Sequence, residues 1–129
     1  MPKVVSVVAC EDTAVSYGGR LTLINLFRDV TAAEYPARVD RLKVVTTWLC
    51  RGEAVQERVV ILGPDGEPVA EADADFTAPL LHTHIAGFDG LVLPKEGEYR
   101  IRVYDGAAPA AELPLVAVAV PPQPEEEEA

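Results

Sequence analysis

Apolar positions recur at every second residue in several short runs of this chain. In 69–76, Ala70, Ala72, Ala74 and Phe76 fall on one face of an extended strand, and Glu71, Asp73 and Asp75 on the other. In 98–104, Tyr99, Ile101 and Val103 point one way and Arg100 and Arg102 the other. A period of two with one apolar row predicts half-buried strands. The run 41–50 carries Leu42, Val44, Thr46, Trp48 and Cys50 in one row, with Val45, Thr47 and Leu49 opposite. A strand apolar on both rows belongs in the middle of a sheet. The runs 4–10 and 21–27, VVSVVAC and LTLINLF, are apolar on both faces as well. No stretch repeats at the helical period.

Turn residues separate these runs at short intervals: YGGR (17–20), RGE (51–53), GPDGEP (63–68), GFDG (87–90), PKEGE (94–98) and DGAAP (105–109). That spacing predicts an all-β fold, a two-layer antiparallel sandwich of about eight strands. Two hairpins are expected, turning at Pro64-Asp65-Gly66 and at Asp105-Gly106. Pro114, which cannot donate to a ladder, suits an edge strand. In GEYRIRV a glycine precedes Tyr99 by two residues at the start of a late strand. This resembles the tyrosine corner of immunoglobulin-like sandwiches, in which the hydroxyl bonds back to the upstream loop. Trp48, on a middle strand, is the other residue expected to be structural. Residues 1–120 read as one sandwich domain and 121–129, PPQPEEEEA, as a disordered acidic, proline-rich tail.

Charge narrows the classes of partner. The 129 residues carry a formal −10, four of those charges on Glu125–Glu128. An acidic body repels phosphate backbones and anionic lipid, so neither nucleic acid nor membrane is expected. The N-terminal run is too short for a signal peptide, and no stretch reaches the ~18 apolar residues that span a bilayer. Cytoplasmic location is the expectation. Cys10 and Cys50 fit no zinc or redox spacing and read as small buried hydrophobes, with a bridge between them left open.

Four segments in order, KVVSVVACEDTAV, GGRLTLINLF, RLKVVTTW and HTHIAGFDGLVLPKEGEYRIRV, resemble an uncharacterised bacterial family of small β-sandwich proteins, a domain of unknown function. The resemblance spans most of residues 3–118 and implies the fold. It brings no activity and no catalytic residue.

Candidate chemistry is sparse. His82 and His84, the two histidines, share one face of a strand and are the candidate metal ligands, for a divalent cation. A catalytic zinc site needs about three protein ligands, so Asp89, Glu11 or Asp12 would have to complete it. Otherwise the pair decorates a strand face or anchors a loop. Glu71, Asp73 and Asp75 lie ~7 Å apart along a strand, too far to converge on one ion, and Arg100 and Arg102 are expected to face them across strands. Ser6 and Ser16 sit in no nucleophile motif, and no phosphate-binding glycine loop occurs. No catalytic residue is assigned. The expected function is a cytoplasmic interaction module without catalytic activity, binding a protein or peptide through an edge strand or through loop ends around EDTAVSYGG and HTHIAGF. The alternatives are a metal-binding protein or metal-dependent enzyme using His82 and His84, and a homo-oligomeric structural protein.

Overall fold

The computed structural model describes residues 1–121; the rest of the acidic tail lies outside the described residues. Among the described residues nine strands form: β1 (Lys3–Val15), β2 (Leu21–Leu26), β3 (Asp29–Ala32), β4 (Ala37–Leu49), β5 (Ala54–Leu62), β6 (Pro68–Thr77), β7 (Leu81–Leu93), β8 (Gly97–Asp105) and β9 (Ala108–Ala119). One sheet has the order β2-β1-β4-β7 and the other β3-β9-β8-β5-β6. Neighbours are antiparallel except β3, which runs parallel to the end of β9. That short strand is the one beyond the expected eight. Among the described residues no helix is long and apolar enough to cross a membrane.

The pairings follow immunoglobulin topology. β4 lies beside β7 as strand B lies beside E, and β5, β8 and β9 neighbour one another as C, F and G do. β6 extends the second sheet beyond β5, in the C′ position. Among the described residues no strand takes the D position outside β7, because the chain passes from β6 to β7 through only residues 78–80.

The rows read from alternation become the interlayer. Val44, Trp48, Val59, Ile61, Ile101 and Val103 are fully buried, and Ala70, Ala72 and Phe76 pack against them half-buried. The exposed row of β6 is its carboxylates. Alternation changes phase in β4 and β7 together. Val39 and Leu42 both point inward, as do their cross-strand partners Leu91 and Phe88. Gly90, at φ +64°, supplies the left-handed residue at which β7 bends.

Tyr99 is buried on β8, and its hydroxyl donates to the Lys95 carbonyl at 2.6 Å while accepting from the Lys95 N–H at 3.2 Å. Two residues upstream, Gly97 has φ +141°, and a Cβ there would stand 2.6 Å from Cγ of Pro64. Bare backbone thus lets the β5–β6 turn close onto the corner. Trp48 is buried on β4, the B-like strand, not on the C-like strand where antibody domains carry their tryptophan.

Other expectations need correction. Arg100 and Arg102 do not face the β6 carboxylates, because β5 lies between β8 and β6. Arg58 of β5 makes that contact, a two-pronged pair with Glu71, while Arg102 pairs with Glu112. Pro114 sits not on an outer strand but where β3 leaves β9 uncovered. The cysteine expectation needs none: Cys10 and Cys50 are buried, and they are free. Cys10 pairs with Lys43 on β4, and Cys50 follows the far end of that strand, roughly 20 Å away at the usual strand rise.

Candidate functional site at the β6–β7 edge

His82 and His84 do not decorate an outer face. Both lie opposite inward-facing residues of β4, Trp48 and Thr46, and so point between the sheets. They line the open side of the sandwich, where β6 and β7 are the outermost strands of their layers. Phe76 of β6 reaches across to them. Its ring stacks on His82 with centroids 4.1 Å apart and on His84 at 5.7 Å, and Trp48 meets it edge-on at 6.3 Å.

Behind the rings lies Glu57, a carboxylate 2 % exposed. Its Oε2 accepts from the Trp48 indole Nε1 at 2.7 Å and from the Thr46 hydroxyl. Its Oε1 accepts no hydrogen bond from the described residues, and its nearest charged or chargeable neighbour is His84 Nε2 at 3.9 Å. The imidazole of His84 thus stands between Oε1 and the β6–β7 edge. The arrangement is a carboxylate held on one oxygen by Trp48 and Thr46, with the other facing the His84 imidazole at an edge occupied by stacked aromatic rings.

Sequence reasoning missed Glu57. The signal was present: in AVQERVVIL, Glu57 falls in phase with Val55, Val59 and Ile61, and an acidic residue in an apolar row needs partners. The proposed third ligands lie elsewhere. Asp12 is held by Arg41 and Lys43, with Lys43 and the Thr13 N–H keeping its carboxyl below the ordinary range. Glu11 accepts from Asn25, and Asp89 lies opposite Arg41 among the residues of β7 that point outward. Among the described residues no three His, Cys, Asp or Glu side chains cluster as a metal ion would need. Cys10 is no ready nucleophile, because burial raises its thiol above the usual range.

HTHIAGF is not a loop end but the first half of β7, which pairs with β4 along its length and, among the described residues, with nothing on its other side. EDTAVSYGG does include a loop end, the turn of the β1–β2 hairpin, with Tyr17 fully exposed.

No curated protein matches the chain. Among solved structures, an immunoglobulin-like protein from Pseudomonas aeruginosa is similar at 14 % identity, covering 92 % of this chain and 97 % of that one with a TM-score of 0.48. Residues 5–118, nearly the whole sandwich, match a family model described as a family of unknown function, and on that match the chain belongs to the DUF6941 family.

Proposed function

We propose that this domain is a binding module that takes an extended polypeptide segment along the free edge of β7. Exposed strand edges template pairing with other chains, and proteins ordinarily blunt them with shortness, charge or proline. The other three edges carry such defences: β2 has 6 residues, β3 has 4, and β6 carries Pro68, Glu71, Asp73 and Asp75. β7 runs for 13 residues, and Leu81–Phe88 contains neither a proline nor a formal charge. This undefended edge, in the place where immunoglobulin domains carry strand D, is the observation that carries the reading. Strand addition would give affinity through main-chain hydrogen bonds and selectivity through alternate side chains.

A second copy is the less suitable occupant. Two chains of −10 repel, and pairing β7 to β7 would bring the two acidic β6 edges toward each other. The test is selection of eight-residue peptides from a random displayed library, followed by amide mapping. The reading expects binders that protect amides within 81–88 from exchange and that lose binding when alternate peptide nitrogens are methylated. Binders confined to the β1–β2 hairpin would refute it. So would light scattering at a dimer mass that disappears when β7 is altered.

A further inference from the structure

We propose that the β6–β7 edge at the Phe76, His82 and His84 rings is a subsite for a cationic side chain, a guanidinium or ammonium carried by the docked segment, with Glu57 as its counter-ion. This rests on the edge-binding reading and names the chemistry of its partner. The buried carboxylate is the starting point. A charge removed from water is costly unless it is paired. Trp48 and Thr46 are neutral donors, and both use Oε2. Nothing among the described residues places a cation within hydrogen-bond distance of Oε1. The carboxylate is therefore oriented on Oε2, while its other oxygen, on the side of the β6–β7 edge, has His84 at 3.9 Å as its nearest chargeable neighbour and no bonded cation.

The walls suit the same ligand. Phe76, His82 and His84 stand as near-parallel rings, with 24° and 27° between Phe76 and the two imidazoles. A planar guanidinium lies well against such faces, and its donors match a carboxylate oxygen. Strand geometry delivers it. A segment added to β7 lies about 4.8 Å outside it, and alternate side chains point inward on the same side as His82 and His84. A long side chain from that position passes beside the rings toward Glu57, its stem on Phe76 and its head at Oε1. The acidic body also raises the local concentration of basic segments.

The chain has one tryptophan, and its indole N–H bonds to Glu57, so that proton resonance reports the subsite alone. The probes are methylguanidinium chloride, with sodium chloride at equal ionic strength as control, and two capped peptides, Thr-Val-Thr-Arg-Thr-Val-Thr and its norleucine counterpart. In the wild type, methylguanidinium should shift the Trp48 indole proton saturably. The Arg peptide should bind about ten-fold more tightly than the norleucine peptide, the size of one charge-assisted contact. Glu57→Gln, which keeps an oxygen for Trp48, should erase both effects, so that the two peptides bind with equal affinity. Equal affinity of the two peptides in the wild type, with the indole silent to methylguanidinium, overturns the subsite while leaving edge binding intact. An indole response without any change at β7 amides keeps the subsite and refutes edge binding. Silence everywhere refutes both.

Discussion

Replacing Tyr99 by Phe removes one oxygen from a fully buried side chain and leaves the ring in place. That oxygen donates to the Lys95 carbonyl and accepts from its N–H, closing the loop between β7 and β8. Each bond contributes a net ~0.5–1.5 kcal/mol, so deletion of both removes about 1–3 kcal/mol. Lys95 itself is exposed, and water can reach part of the freed backbone. The expected loss therefore lies in the lower half, about 1–2 kcal/mol. For a domain of this size that lowers Tm by several degrees, about 4–8 °C. The assay is urea unfolding followed by Trp48 fluorescence, with calorimetry alongside. The denaturant slope should not change, because the same surface is exposed on unfolding. Tyr17→Phe, at a fully exposed position, is the control and should stay within ~0.5 kcal/mol of wild type. A Tyr99→Phe loss no larger than that of the control would refute the corner as a stabilising element.

Gly97→Ala should destabilise by about 1–3 kcal/mol, since it adds a Cβ at a positive φ and against the Pro64 ring; urea midpoints check this, with Gly19→Ala, where a Cβ meets nothing within 4 Å, expected to cost less. The Asp12 carboxyl lies below its ordinary range because of Lys43, the Thr13 N–H and Arg41. Its contribution is therefore present above the unfolded carboxylate range and is lost as pH falls through the folded value. Asp12→Asn should be less stable than wild type near neutrality, and the gap should close in acid; a gap that persists there would contradict the ion-pair account. Cys10 and Cys50 should resist a thiol reagent in the native protein and both react in denaturant, because neither has exposed surface and burial disfavours the Cys10 thiolate.

The strands and their inward rows were legible because they depend on local rules. Side chains alternate with a period of two whatever the neighbours are, so the row of Ile101 and Val103 and the row of Ala70 to Phe76 could be read from the chain. Turn chemistry at Gly63–Gly66 and Asp105-Gly106 fixed two hairpins for the same reason. The candidate site was legible only in fragments. His82 and His84 stood out as the two histidines, and Glu57 was hidden among the valines of its strand. The face a strand row turns to the core is ambiguous where both rows are half apolar, as in β7, so the shared face of the two histidines was legible but not which way it turns.

The sequence by itself determined that this chain makes strands, several of them amphipathic with one buried row, and that the body is acidic. These properties follow from side-chain period, turn residues and charge, all local or additive. Only the tertiary structure decided which strands are neighbours. Inserting β5 between β8 and β6 gave Glu71 to Arg58 instead of Arg102. Packing β5 across from β4 and β7 set Glu57 behind Trp48 and Thr46 of the preceding strand and His84 of β7, residues of the opposite sheet. Such encounters depend on the order of strands within each sheet and on which rows fit together between the sheets. No local pattern records that order, so the undefended edge of β7 and the carboxylate behind it come into view only once the two layers are closed.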